Sequence, residues 1–447
     1  MPRHSGCFVP IPMNTRFRLC FAALKTILAL AVCLPLASLA FAAKSEPVWR
    51  FHLGPGAAPS GWTKVAAGAK YDDGAGFGFE STDGLMQVDH GAGFTTADRP
   101  FYFSVALPEG NYRVAVTLGD ADGESDTTVK AELRRLMLSN VTTTRGEIVR
   151  REFVVNLRRP SIPGASGNER KNVALKPREQ KEEWWAWDEK LTLEFNGSRP
   201  CVSAIEITPA DRVPTVFLLG DSTVCDQPRE PFASWGQMLT IFFEPSIAIA
   251  NHGESGESYH GALAAGRLAK VLSVARPGDT VLMQYGHNDM KVVDVPTYKA
   301  NIKKFVEAFR ERKISVVLVT PPHRRTFDKD GRITNSHKGY PDAVREVARE
   351  EKLPLIDLLE MTRAFYEAMG PEASGAAFKP GDGTHHNAYG AYELAKCIVE
   401  GIRAARLPVA KHIIDGLPRF DPAHPDAPGS VKIPPSATSP GDTPDGS

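Results

Sequence analysis

Thr215-Val216-Phe217-Leu218-Leu219-Gly220-Asp221-Ser222-Thr223 is the stretch that decides the fold. Residues 215–219 form a continuous apolar strand, and Gly220-Asp221-Ser222 ends it on turn chemistry. An amphipathic stretch carrying Trp235, Met238, Leu239 and Phe242 follows. The same alternation recurs, with strands predicted at 247–251, 280–284, 314–320 and 353–357. Helical patterns lie between them, such as Ile302, Phe305, Val306 and Phe309, and a last helix is predicted from Ala388 to about Ala404. Apolar strands alternating with amphipathic helices predict a parallel sheet covered on both faces. Five such strands suit a three-layer, flavodoxin-like α/β domain, assigned to residues 212–405.

Upstream, residues 45–210 follow a different rule. Phe101, Phe103, Val105 and Leu107 alternate with other residues, Pro108-Glu109-Gly110-Asn111 makes a turn, and Tyr112, Val114, Val116 and Leu118 alternate again. That pattern predicts a hairpin. Val129/Ala131/Leu133, Phe153/Val155/Leu157, Leu191/Leu193/Phe195 and Ile205/Ile207 repeat the period of two without a convincing helix. An all-β sandwich, jelly-roll-like, is expected there. Its aromatic run Trp184, Trp185, Trp187 suits either a core or a sugar-facing surface. Downstream, residues 416–447 hold eight prolines and little that builds a core, so a disordered tail is expected.

Residues 1–42 read as a signal peptide. Arg16, Arg18 and Lys25 precede an apolar run, and Ala40-Phe41-Ala42 offers small residues at a cleavage site. Pro35 interrupts the run, which is short for a membrane span. The expected location is periplasmic or secreted. Over the 447 residues, 53 basic side chains balance 53 acidic ones, so no global field recruits nucleic acid or an anionic membrane. Beyond the leader only Cys201, Cys225 and Cys397 remain, without C-x-x-C spacing, which excludes a disulfide framework and a cysteine zinc cluster and leaves room for one pair at most.

Working residues of a doubly wound sheet lie past the carboxyl ends of its strands. Those ends read Gly220-Asp221-Ser222-Thr223, Asn251 to Ser258 with Gly253 and Gly256, Gly286-His287-Asn288-Asp289, and Asp382-Gly383-Thr384-His385. Together they supply what acyl transfer needs. Ser222 is the candidate nucleophile, His385 its base, and Asp382 the group that orients the imidazole. The backbone N–H groups of Ser222 and Gly256 and the side-chain amide of Asn288 are candidate donors to the oxyanion. Each has a plainer reading: Ser222 as a helix cap, Gly256 or Gly253 as a turn glycine, Asn288 and Asp289 as braces of their loop. It is their joint presence, in this order, that favours chemistry. The pair His385-His386 invites a metal, but no His-Glu-x-x-His helix occurs, and no metal or other cofactor is expected. The Gly-x-Ser-x-Gly elbow of standard lipases is absent, since Val224 stands two residues after Ser222.

These blocks resemble the SGNH (GDSL-type) hydrolase superfamily. Within it, the Gly-Asp-Ser-Thr-Val and Gly-Glu-Ser stretches, residues 284–291, Asp-Gly-Thr-His-His and Thr320-Pro321-Pro322-His323-Arg324-Arg325 are similar to rhamnogalacturonan acetylesterases. Residues 45–210 look like the galactose-binding-like sandwich that precedes the catalytic domain in some bacterial members. The resemblance implies Ser222, Asp382 and His385 as triad, Gly256 and Asn288 in the oxyanion hole, and metal-independent removal of acetyl groups from pectic rhamnogalacturonan. Glu257 departs from the pattern, because many members carry Arg after the block glycine. The expected function is therefore a serine esterase acting on O-acetyl esters of an acetylated polysaccharide or oligosaccharide through an acetyl-enzyme. Rivals are an acetylxylan or lipid esterase of the same superfamily and an inactive carbohydrate-binding protein. The insert between residues 321 and 340 is polar and contains Arg324, Arg325, Lys329 and Arg332, which reads either as cations placed near uronic acids or as a plain solvated loop.

Overall fold

The structure, a computed structural model, describes residues 47–91 and 93–437. The leader read at residues 1–42 lies outside them. The strand beginning at Thr215 (Thr215–Gly220) is fully buried and stands second in a five-stranded parallel sheet. The sheet order is Ala248–Asn251, Thr215–Gly220, Thr280–Gln284, Ser315–Val319 and Leu355–Ile356. That is the flavodoxin-like order, whose switch point lies between the first and third strands in sequence. Alternate residues feed opposite faces. Val216, Leu218, Leu282 and Val317 pack with Trp235 and the last helix, Ala388–Ala404. Phe217, Leu219, Val281 and Met283 pack with Tyr259, Tyr298, Ile302 and Phe305. Three layers result, with every strand apolar on both sides.

Residues ahead of Thr215 form two sheets around one core that includes Phe51, Phe103, Val114, Val116, Phe195 and Ile205. One runs Ile148–Leu157, Gly110–Gly119, Val202–Pro209, Trp49–His52, Thr63–Lys64, with two short strands at its side. The other runs Phe77–Phe79, Phe101–Ala106, Lys190–Arg199, Ser125–Ala131, Arg135–Thr143. The predicted hairpin is not formed. Phe101–Ala106 pairs in the second sheet and Gly110–Gly119 in the first, so residues 108–111 turn a corner between sheets. Tyr112 Oη donates to the Pro108 carbonyl at 2.9 Å and pins that corner. Period two marks a half-buried strand but carries no information about its partner.

Two further expectations are corrected. The region contains a short helix, Pro177–Lys181, and a 3₁₀ turn, Trp184–Ala186. Pro177 at the first helical position and the Lys176 N–H bond to Glu179 Oε2 (2.8 Å) set its start. Residues 416–437 are ordered against the body rather than disordered. Leu417, Phe420, Val431 and Ile433 pack on the hydrolase core, and Lys130 Nζ donates to the Pro434 carbonyl at 2.7 Å. Four apolar side chains spaced along a proline-stiffened segment suffice, because proline leaves little backbone entropy to lose. Cys201, Cys225 and Cys397 are buried free thiols.

The sandwich and the α/β layers form one compact unit. Arg135 pairs with Asp226 at 2.8 Å, Gln237 Nε2 donates to the Leu133 carbonyl at 2.8 Å, and Thr240 Oγ1 to that of Leu136 at 2.6 Å.

Candidate active site

Gly220 closes the strand under the site. A Cβ there would stand 2.3 Å from Val224 Cγ2 and 2.6 Å from the Gln284 carbonyl oxygen, so only glycine fits. The chain then turns tightly, with the N–H groups of Val224 and Cys225 both donating to the Asp221 carbonyl (2.9 and 3.0 Å). Asp221 is fully buried; its Oδ1 accepts from Thr223 N (3.0 Å) and Oγ1 (2.8 Å), and its Oδ2 faces His287 Nδ1 at 3.3 Å. The turn so fixed presents Ser222.

Ser222 Oγ lies 2.9 Å from His385 Nε2, and His385 Nδ1 lies 2.9 Å from Asp382 Oδ2. The other oxygen of Asp382 accepts from the N–H groups of Thr384 (2.7 Å) and His385 (3.0 Å). Burial alone would raise the Asp382 pKa, but the hydrogen bonds from the His385 ring and from these two backbone groups outweigh it and hold the carboxyl at about 2. An ionised carboxylate only accepts. The His385 proton therefore sits on Nδ1, and Nε2 turns its lone pair to Ser222. The Phe232 ring stands edge-on to His385 at 6.0 Å between centroids.

Gly256 has φ +68°, a left-handed conformation that favours glycine. Gly253 is committed elsewhere: its N–H donates to Asn251 Oδ1 (3.1 Å), and a Cβ would meet the Cys225 backbone nitrogen at 3.0 Å. Asn288 Nδ2 donates to the Glu257 carbonyl at 3.1 Å, which fixes the amide against the residue after Gly256. Asp289 Oδ1 accepts from the Tyr259 N–H at 3.0 Å, and burial pushes the carboxyl up to about 7. Asp289 thus braces the loop that carries Asn288.

Gln227 was not singled out by sequence. Its Nε2 donates to the Ser222 carbonyl (2.7 Å) and to Ser255 Oγ (3.4 Å), tying the serine's turn to the loop of Gly256. A lone polar residue in a loop gives no signal in one sequence. Glu257 points inward: its Oε2 accepts from Arg267 Nε at 2.7 Å, so the charge that departs from the family pattern is neutralised beneath the site. His386 also turns away, into the core, where its Nε2 meets Tyr366 Oη at 2.7 Å and its ring lies 4.5 Å from that of Phe378. The two adjacent histidines therefore face different surroundings and share no ligand site. Of the aromatic run, Trp187 is buried with Leu133, Ile162 and Val173, whereas Trp184 is 43% exposed.

A flavodoxin-like sheet with a Gly-Asp-Ser turn at its switch point, preceded by a β-sandwich, defines a carboxylic ester hydrolase of the SGNH type. Residues 218–392 match the GDSL-like lipase/acylhydrolase family, and residues 49–147 match a galactose-binding-like domain described for β-agarases and YXIM esterases. The chain is 37% identical over 217 residues to rhamnogalacturonan acetylesterase RhgT of Bacillus subtilis (strain 168), covering 44% of this chain and 94% of that protein. It is 28% identical over 386 residues to the uncharacterized esterase YxiM of the same organism, covering 80% of this chain and 92% of YxiM. The probable rhamnogalacturonan acetylesterase YesY, also of B. subtilis, is 32% identical over 213 residues, covering 44% of this chain and 97% of YesY. The chain belongs to the GDSL-like lipase/acylhydrolase family.

Proposed function

We propose that this protein is a serine esterase that removes O-acetyl groups from a plant cell-wall polysaccharide, with rhamnogalacturonan as its substrate. The observation that carries the chemistry is the unbroken line from Ser222 Oγ through His385 to Asp382, with both contacts at 2.9 Å. Similarity to RhgT and YesY supports the choice of polymer.

In this reading Ser222 Oγ attacks the acetyl carbonyl as its proton passes to His385 Nε2. Asp382 stabilises the imidazolium without taking the proton. The oxyanion is met by the N–H groups of Ser222 and Gly256 and by the second Nδ2 hydrogen of Asn288, whose first is held by the Glu257 carbonyl. His385 returns the proton to the departing sugar oxygen. Water, deprotonated by the same Nε2, then attacks the acetyl-Ser222 carbonyl, releasing acetate and restoring the serine. A polymeric substrate requires export, which residues 1–42, read as a signal peptide, would provide.

The test is acetate release from acetylated rhamnogalacturonan, acetylated xylan and 4-nitrophenyl acetate by the wild type and Ser222→Ala. Release from the pectic polymer that vanishes in the variant is expected. Turnover of xylan or the small ester alone would discard the pectic assignment, and full activity of Ser222→Ala would discard the mechanism.

A further inference from the structure

Among the described residues, the four buried arginines Arg134, Arg135, Arg158 and Arg267 each meet a carboxylate, on Glu230, Asp226, Asp226 and Glu179 respectively. Arg325 is closed in another way, by Ser374 Oγ and the carbonyls of Pro371 and Glu372. Arg324 differs from all of these. Partly buried at the rim of the site, it has no carboxylate within 4.0 Å among the described residues. Its contacts are neutral: Nε to Thr384 Oγ1 (3.3 Å), and Nη1 to Ser336 Oγ (3.4 Å), His337 Nδ1 (3.5 Å) and Met290 Sδ (3.8 Å). Nη2 donates to no described residue.

These contacts hold the guanidinium in place. His337 Nε2 donates to the Pro322 carbonyl at 2.9 Å, which leaves Nδ1 as the acceptor facing Arg324. Burial drives the His337 pKa down to about 2, so the ring stays neutral and cannot repel its neighbour. Thr384 immediately precedes His385, and Met290 follows Asn288 by two residues. Arg324 therefore bridges the loop of the proposed base and the loop of the proposed oxyanion amide. Asp221 is the carboxylate that pulls on its charge, but that group is already engaged by Thr223 and His287. Exposed Lys291 adds a second positive charge in the same quarter; after burial, Arg324 is the largest influence lowering its pKa. A fixed guanidinium with a free edge and no counter-ion suits a planar anion that can accept two parallel hydrogen bonds.

We propose that Arg324 is a specificity residue that binds the carboxylate of a uronic acid next to the acetylated sugar, so the enzyme selects acidic over neutral polysaccharide. This rests on the acetylesterase reading above and names the part of the substrate that the site recognises beyond the ester.

The experiment compares kcat/KM for acetylated rhamnogalacturonan oligomers with that for the same oligomers after reduction of their carboxylates to alcohols. The wild type is expected to prefer the acidic oligomers by about 10- to 100-fold, the range of a hydrogen bond to a charged group. Arg324→Met brings the ratio near one and Arg324→Lys gives an intermediate value. Arg332→Met, which removes an exposed cation paired with Glu367, keeps the wild-type ratio. Because the ratio is read within each variant, a general fall in activity does not mimic the effect. A wild type without preference, or an Arg324→Met enzyme that keeps it, overturns the proposal and leaves the esterase mechanism intact. If the wild type deacetylates neither oligomer, the pectic reading fails by itself. Inhibition of 4-nitrophenyl acetate turnover by galacturonate, with galactose as control, then decides: stronger inhibition by galacturonate supports the carboxylate site, and equal inhibition overturns it.

Discussion

The proposed triad and the charge cluster behind the Gly256 loop each contain buried carboxylates, wired in opposite ways. Behind the loop, Arg267 donates to Glu179 and to Glu257, each at 2.7 Å, and Arg178 Nε meets Glu183 Oε1 at 2.8 Å. Lys176 Nζ donates to the Ser255 carbonyl. Glu179 and Lys176 come from the segment between the sandwich strands Ile148–Leu157 and Lys190–Arg199, Glu257 from the loop of Gly256. This cluster fastens one half of the protein to the other, and its charges close on protein partners. In the proposed triad the contacts run from Asp382 through His385 to Ser222 Oγ, the proposed nucleophile. On the proposed mechanism the contrast separates two uses of a buried charge, one holding a loop in place and the other activating a nucleophile.

The largest expected effect is on the triad. Asp382→Asn should lower kcat by about 10⁴-fold, because the amide no longer fixes the His385 proton on Nδ1. Steady-state kinetics on 4-nitrophenyl acetate checks this, and a loss under tenfold would remove Asp382 from the line. The same carboxyl, held at about 2 against an ordinary 3.8, also contributes stability. The sign follows from its depressed pKa: the contribution is full above about pH 4 and is lost as pH falls towards 2. Acid titration of the wild type should therefore have a component there that Asp382→Asn lacks.

Arg267→Met should act on stability instead. It leaves Glu179 and Glu257 buried without their cation, a change worth about 3–5 kcal/mol, read as a lower urea midpoint. Undiminished stability would mean that the cluster holds nothing together. Asn288→Ala removes one oxyanion donor and should cost about 10²–10³ in kcat with KM little changed. A similar fall in KM-controlled binding alone would reassign Asn288 to bracing its loop.

The smallest effect concerns Glu254, whose pKa burial drives well above the ordinary carboxyl value, with Glu183 and Glu179 beside it adding to the rise. A carboxyl that keeps its proton in the folded state but loses it in the unfolded one makes stability fall as pH rises. Glu254→Gln removes that penalty. Its melting temperature should match the wild type at pH 5 and exceed it increasingly towards pH 9; a constant difference across that range would contradict the protonated state.

Much of this site was legible because its parts sit in loops at the ends of one parallel sheet. Residues 215–219, 280–284 and the helix from Ala388 to Ala404 could be read from apolar runs and from the period of a helix, and the four polar loops followed. The Asp382–His385 pair was legible as well, since its hydrogen bonds span only three residues. What escaped depends on contacts between distant segments. The corner at 108–111 looked like a hairpin because alternation does not name a strand's partner. Gln227, 28 residues from Ser255, bonds to it through one amide. The segment 416–437 looked unstructured because its apolar residues are sparse, yet the surface they cover is built by other parts of the chain.

Trapping the acyl-enzyme tests the role of Ser222 at the step where the bond forms. Rapid acid quench of the enzyme turning over an acetyl ester, followed by peptide mass analysis, should find one acetyl group on the peptide bearing Ser222, and none in Ser222→Ala. Acetate release without any acetyl group on Ser222, or with the group on another side chain, would rule out Ser222 as the nucleophile.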